Sequence, residues 1–346
     1  MNFEGYQKSF REKALNQGFS QDEISKCLLY ANRLNSGGLP IVYNLTHFSR
    51  LVGFERKYIS QAAVVSKHSE TYYRYHKIKK KNGDIRKIKE PLPNLKSIQY
   101  WILEYILENI RPSSYAKAYV KGRGLKENLR FHRKQKKVFS MDIKNFFPSI
   151  TFEQVEIIFK NVGYSKELST ILAKLCCLKE RLPQGAPTSP YISNLVFKEL
   201  DHKISDHCNK LKIRYTRYAD DLTFSGDFNE ADLLKVIKGI IEPNGFQINN
   251  SKTSLMLYSE RQIVTGIVVN DIPQLDKETR RKIRKEHYFI MKFGLKSHMG
   301  KLGMDDPNYL NALLGKVSFG LYLNPNDNAL RRIQSDLIRV NKEYYN

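Results

Sequence analysis

Acidic residues are scarce in this chain: 35 Asp and Glu stand against 58 Lys and Arg over 346 residues, a formal net charge of +23. So basic a chain favours a polyanionic partner. Cysteine is scarce too. The four, Cys27, Cys176, Cys177 and Cys208, lack paired Cys-x-x-Cys spacing, and Cys176-Cys177 follows the apolar Ile171-Leu172-Ala173-Lys174-Leu175, so buried thiols are expected. No apolar run approaches the ~18 residues of a membrane span, and Met1-Asn2-Phe3-Glu4-Gly5 opens no signal peptide. A cytoplasmic protein with no membrane partner is expected, without internal repeats and without an appended nuclease or zinc module. At 41% hydrophobic and 12% aromatic the chain reads as globular, and its length can bury a substantial core.

Two of the few acids are adjacent, in Tyr218-Ala219-Asp220-Asp221. The flanks Ile213-Arg214-Tyr215-Thr216-Arg217 and Leu222-Thr223-Phe224 are rich in β-branched and aromatic residues and enclose a short polar turn, which predicts a β-hairpin with the acids at its tip. A tight turn can bring neighbouring carboxylates together, and their repulsion then calls for a cation. Mg²⁺ suits this role because it takes oxygen ligands and shares them with substrate phosphates. A solvated turn is the plain alternative for the dipeptide alone.

A third acid changes the balance. Val138-Phe139-Ser140-Met141-Asp142-Ile143 alternates, with Phe139, Met141 and Ile143 on one face, so Asp142 ends a strand on the less apolar face. Phe146-Phe147-Pro148-Ser149 breaks that strand, and Thr151-Phe152-Glu153-Gln154 offers a capping box for the next helix. Two strand ends carrying three Asp can converge on one sheet edge. Two-metal phosphoryl transfer needs such a set, one ion at the attacking hydroxyl and the other at the leaving oxygen, roughly 3.5–4 Å apart. Between the acids, Leu182-Pro183-Gln184-Gly185-Ala186-Pro187-Thr188-Ser189-Pro190 reads as a loop entering a helix with Ser189 as N-cap and Pro190 at the first helical position. Such a loop can present backbone N–H groups and the Gln184 amide to a nucleotide, or can simply connect two elements.

In this order, Asp142 with its following Phe-Phe, the Leu-Pro-Gln-Gly-Ala-Pro-Thr-Ser-Pro loop and Tyr-Ala-Asp-Asp resemble the palm of reverse transcriptases, and in particular of bacterial retron reverse transcriptases, from about Tyr72 to about Val269. The resemblance implies an α+β right-hand polymerase fold with an antiparallel-sheet palm, fingers and a helical thumb. It implies the divisions 1–70 (N-terminal helices), 71–137 (fingers), 138–260 (palm) and 261–346 (thumb and RNA recognition). Asp142, Asp220 and Asp221 are then the catalytic, metal-binding carboxylates for two Mg²⁺ ions. Phe147 excludes a 2′-hydroxyl on the incoming deoxynucleoside triphosphate, Gln184 lines its pocket, Arg86 and Lys96 resemble fingers residues beside it, and Lys252 in Gly245-Phe246-Gln247-Ile248-Asn249-Asn250-Ser251-Lys252-Thr253 approaches the triphosphate. Val264-Thr265-Gly266 matches a signature associated with retron enzymes and their RNA. A second, Asn-Ala-x-x-His, is present imperfectly as Asn128-Leu129-Arg130-Phe131-His132, Leu replacing Ala.

For a retron enzyme the family implies a cognate structured non-coding RNA that serves as template and supplies a 2′-hydroxyl primer, a branched RNA–DNA product (msDNA), and anti-phage defence with a separately encoded effector protein. Another bacterial reverse transcriptase, intron-like or of the abortive-infection type, is the alternative, followed by a non-catalytic RNA-binding scaffold.

The remaining pattern supplies recognition surface. Nine Lys/Arg lie between Thr71 and Lys96, around an Asn82-Gly83 hairpin turn and among Tyr72, Tyr73 and Tyr75; nine more lie between Lys117 and Lys137. Basic residues neutralise phosphates and aromatics stack on unpaired bases. Ser20-Gln21-Asp22-Glu23 is a capping box for an N-terminal helix, and a second helix is expected over Tyr58 to Val65. A basic helix from Lys277 to Lys301 and two helices between Asn308 and Tyr345, parted by Asn324-Pro325-Asn326-Asp327, complete the expected pattern, with His287 and His298 as surface or packing residues.

Overall fold

The protein is described from a computed structural model that covers residues 2–63, 67–79 and 83–345. Two compact units interleave along the sequence: Met1–Lys121, Ile143–Asp206 and Lys235–Asn249 form one, and Gly122–Asp142, His207–Leu234 and Asn250–Asn346 form the other.

The first unit begins with helices Phe3–Asn16 and Gln21–Ser36; the Ser20 hydroxyl and the Glu23 carboxylate cap the second reciprocally, as the sequence predicts. The helix expected over Tyr58 to Val65 runs over Arg56–Ala62, and Val65 lies outside the described residues. Strands β1 (Tyr73–Lys79) and β2 (Ile85–Pro91) pair antiparallel. Asn82, the first residue of their predicted turn, is outside the described residues, whereas Gly83 has φ +89°. Gln99, fully buried on helix Pro93–Tyr105, donates to the Leu175 carbonyl at 2.7 Å and to the Tyr73 hydroxyl at 3.3 Å, tying the hairpin to helix Lys166–Cys176. Burial pushes the Cys176 thiol up to about 12. Thr151 and Gln154 form the predicted capping box of helix Phe152–Asn161. Helix Ser189–Val196 starts one residue earlier than expected: Thr188 is its N-cap and Pro190 lies in the first turn, where its missing N–H leaves no carbonyl unserved.

The second unit is built on a four-stranded sheet of order β4-β5-β3-β6, with β3 Lys137–Ile143, β4 Arg214–Tyr218, β5 Asp221–Gly226 and β6 Ile248–Leu257. β3 is internal and buried on both faces except at Lys137 and Ser140, so the face expected to be less apolar is nevertheless covered. Part of that cover is one cluster joining Leu129 and Val138 to Val264, Ile267 and Val269 and to the helical residues Ile283, Ile290, Val317 and Leu337. At ~1.5–3 kcal/mol for each fully buried aliphatic side chain, this cluster contributes substantially to the stability of the unit. The C-terminal helices are Lys277–Phe293, Leu295–Lys301, Tyr309–Leu323 and Asn328–Tyr345. The basic helix expected as continuous from Lys277 to Lys301 is interrupted at Gly294, whose φ of +79° is cheap for glycine alone. No helix among the described residues is long and apolar enough to cross a membrane.

Candidate active site

The turn between β4 and β5 has two residues, Ala219 and Asp220, with Tyr218 paired to Asp221 across it. Ala219 sits at φ +60°, a left-handed position where alanine is strained by about 1 kcal/mol relative to glycine. Fully buried Arg217 donates from Nη1 to the Ala219 carbonyl at 3.1 Å and so holds the turn.

Register then sets the carboxylates. Asp142 on β3 is the direct partner of Asp221 on β5, and opposed residues of an antiparallel pair share a face with Cβ atoms roughly 4.5–5.5 Å apart. Asp142 is 5% exposed. Burial, then the charges of Asp220 and Asp142, push Asp221 up to about 6, against a smaller opposite pull from Lys252. Lys252 on β6 places Nζ 2.7 Å from Oδ1 and 3.0 Å from Oδ2 of Asp142, and that hydrogen bond is the main reason its own pKa is raised.

Among the described residues no group of three or more His, Cys, Asp or Glu side chains is gathered into a ready-made metal cluster. The ammonium of Lys252 sits on Asp142 instead. The donor chemistry nonetheless fits a hard divalent cation: these are carboxylate oxygens, and burial first, then the neighbouring charges of Asp220 and Asp142, disfavour the Asp221 anion that such a cation would stabilise.

On the same sheet face, further from the turn, lies a buried polar network. His132 Nδ1 is 2.7 Å from Ser225 Oγ on β5, its Nε2 is 2.7 Å from Thr216 Oγ1 on β4, and Thr216 donates to Asn128 Oδ1 at 2.5 Å. Asn128 and His132, expected to bind RNA, are both fully buried in this structure. Being four residues apart, they lie one turn apart at helix Leu125–Phe131 and bridge both strands of the acidic hairpin.

Val264-Thr265-Gly266 forms another tight hairpin, between β7 (Ile263–Val264) and β8 (Ile267–Val268). Both turn residues have positive φ, +47° at Thr265 and +81° at Gly266. For a β-branched threonine this is strained, and the buried Thr265 Oγ1 has no hydrogen-bond partner among the described residues.

The first unit holds the other expected residues. Phe147 lies half-buried in the short helix Phe146–Ser149, with its ring 5.6 Å from Phe146; that ring in turn packs 5.9 Å from both Phe197 and Phe246. The Gln184 carbonyl accepts from the Lys89 N–H at 2.7 Å. At Gly185, φ +125°, a Cβ would meet Ile88 Cγ2 at 2.7 Å and the Lys89 carbonyl at 2.8 Å, so only glycine lets this loop lie against β2. Arg86 is exposed on β2, and Lys96 is held by Glu90 at 2.7 Å. Sequence reasoning missed Arg217 and the network partners Thr216 and Ser225. The available signal was the polar residues Arg217, Thr216 and Ser225 within strands whose neighbours Tyr215, Leu222 and Phe224 mark them as core.

The family model for reverse transcriptase (RNA-dependent DNA polymerase) matches residues 78–293, and the chain belongs to that family. It is therefore an RNA-directed DNA polymerase of a class that works with divalent metal ions. Within the family it stands with the retron reverse transcriptases. Retron Ec86 reverse transcriptase of Escherichia coli is 32% identical over 267 residues, covering 75% of this chain and 81% of the relative. Retron Ec83 reverse transcriptase of Escherichia coli is 34% identical, covering 71% and 82%, and Retron Se72 reverse transcriptase of Salmonella heidelberg is 32% identical, covering 76% and 71%. A solved telomerase from Candida albicans aligns with 84% of the chain and 66% of its own at TM-score 0.43 and 10% identity, a likeness that carries no weight here.

Proposed function

We propose that the chain copies part of a cognate structured non-coding RNA into single-stranded DNA, starting from a 2′-hydroxyl of that RNA and yielding a branched RNA–DNA hybrid, msDNA. The observation that carries the catalytic assignment is the pairing of Asp142 with Asp221 beside Asp220 at the turn. We assign to these three carboxylates two Mg²⁺ ions, which when bound supply Lewis-acid stabilisation of the attacking and leaving oxygens. Lys252 exchanges its Asp142 partner for the triphosphate. The primer hydroxyl gives up its proton to solvent and its oxygen bonds to the α-phosphorus of the deoxynucleotide as the bond to the pyrophosphate oxygen breaks. Phe147 rejects ribonucleotides and Gln184 lines the nucleotide pocket, with Arg86 and Lys96 in the fingers of a 71–137 fingers, 138–260 palm and 261–346 thumb arrangement. The retron relatives and the Val264-Thr265-Gly266 turn support the choice of a cognate RNA. An anti-phage role with a separate effector, in the cytoplasm, completes the proposal.

The test has two parts. Extension of a primer on RNA with Mg²⁺ should be lost, by on the order of a thousandfold or more, in Asp220→Asn and Asp221→Asn; mutants as active as wild type would remove the catalytic assignment. Sequencing of co-purifying nucleic acid should find short DNA covalently joined to RNA. DNA synthesis without such a branch favours a bacterial reverse transcriptase of another type.

A further inference from the structure

A cavity of about 570 Å³ lies between helices Lys277–Phe293 and Leu295–Lys301, within the ~300–1,000 Å³ range of small-ligand pockets. The break at Gly294 makes it, by folding the second helix back so that His298 and Leu302 face the first. Its floor is aromatic: the Phe289 and Phe293 rings stack with centroids 6.0 Å apart at 24°, and Phe289 stacks on His298 at 6.0 Å and 12°. His298 is 6% exposed and fixed by the Tyr309 hydroxyl at 2.9 Å, so the floor is rigid. Its rim is cationic. Arg281, Lys282, Lys285 and Lys301 line it and outnumber the one rim carboxylate, Glu278, and the Lys301 ammonium lies 4.6 Å from the Phe293 ring centroid.

Glu286 sets the specificity. It lines the same cavity, and its Oε2 is buried with no hydrogen-bond partner among the described residues. A buried acceptor left unpaired is unfavourable, so it calls for an N–H donor from a ligand. Stacking faces, phosphate-neutralising cations and the Glu286 carboxylate together match an unpaired nucleobase. Guanine fits the acceptor best, since its Watson–Crick edge offers a carboxylate two N–H donors, where adenine and cytosine offer one amino group.

We infer that this cavity captures an unpaired guanine of an RNA strand, stacked on Phe289 and Phe293 and hydrogen-bonded to Glu286. The inference goes beyond the catalytic assignment. It concerns sequence preference away from the acidic hairpin and rests on this unit's own residues.

The experiment is fluorescence anisotropy with the full chain and labelled RNA ten-mers, all uridine or uridine with one central guanosine, at one fixed salt concentration and without metal or nucleotide. The guanosine strand should bind about tenfold more tightly, the scale of one good base contact. Glu286→Gln, which keeps the side-chain volume, should erase that preference without weakening the all-uridine strand. Phe293→Ala, at a ring already 43% exposed, should weaken both strands about tenfold. Equal binding of the two strands, a preference that survives Glu286→Gln, or unchanged binding by Phe293→Ala would overturn the inference. So would displacement by free GMP as strong as by the oligonucleotide, since the site would then serve a free nucleotide. Because no polymerisation is read, failure here leaves the catalytic assignment standing, and the reverse also holds.

Discussion

Lys252 and Asp142 are joined across β6 and β3 by an ion pair of 2.7 Å, in which the lysine side chain is 60% exposed and the aspartate 7%. The ammonium is thus free to leave, while the carboxylate is not free to find water. In chelator, Lys252→Met should lose on the order of 1–2 kcal/mol of stability, less than a fully buried broken pair because solvent screens the exposed side. Saturating Mg²⁺ should shrink that difference, which melting curves with and without metal will measure. A mutant as stable as wild type in chelator would show that Lys252 does not neutralise the site.

Asp221 gives the pH dependence. Its folded value of about 6 lies above the ordinary 3.8, so between these values only the folded state keeps the proton, and its contribution to stability falls as pH rises through that window. In chelator, Asp221→Asn should therefore be more stable than wild type by on the order of 2 kcal/mol at about pH 7.5, with the advantage gone near pH 3.5. A difference that stays flat with pH would contradict this.

Phe147→Val or Phe147→Ala should admit ribonucleotides. The readout is the ratio of kcat/KM for deoxy and ribo substrates, expected to fall by a factor of ten or more, about the discrimination of one steric contact. Unchanged discrimination would reject the assignment.

His132→Leu removes two buried hydrogen bonds beneath the acidic hairpin, taking the imidazole from Ser225 and Thr216 while Thr216 keeps its bond to Asn128. Stability should fall by about 2–4 kcal/mol and extension activity with it, while RNA affinity at fixed salt stays within about twofold. A selective loss of RNA affinity in a fully stable protein would instead favour direct recognition by this residue.

Gly266→Val puts a β-branched side chain at φ +81°. DNA synthesis on the cognate RNA should drop several-fold more than on an artificial primer-template. Equal losses would remove the turn from RNA recognition.

Local chemistry made much of this legible in the sequence. The acidic hairpin, the capping boxes at Ser20 and Thr151 and the C-terminal helices parted at Asn324 to Asp327 are each encoded within a few residues. What escaped depended on distant partners. Nothing near Asn128 and His132 in the sequence reveals that β4 and β5 cover them, and nothing near Lys252 reveals that its partner, Asp142, lies on another strand. The Gly294 break could have been found, but the basic periodicity on either side of it masked a glycine that reverses the chain.

The register between β3 and β5 also has a temporal side. Asp142 cannot meet Asp221 until roughly eighty further residues have been made, and Lys252 follows later still. A nascent chain that already carries its first carboxylate thus has no assembled site. Pairings so distant in sequence form slowly, because loop-closure entropy is lost before the contacts form. Synthesis of DNA should accordingly begin only after most of the chain has left the ribosome, well after the N-terminal helices can fold.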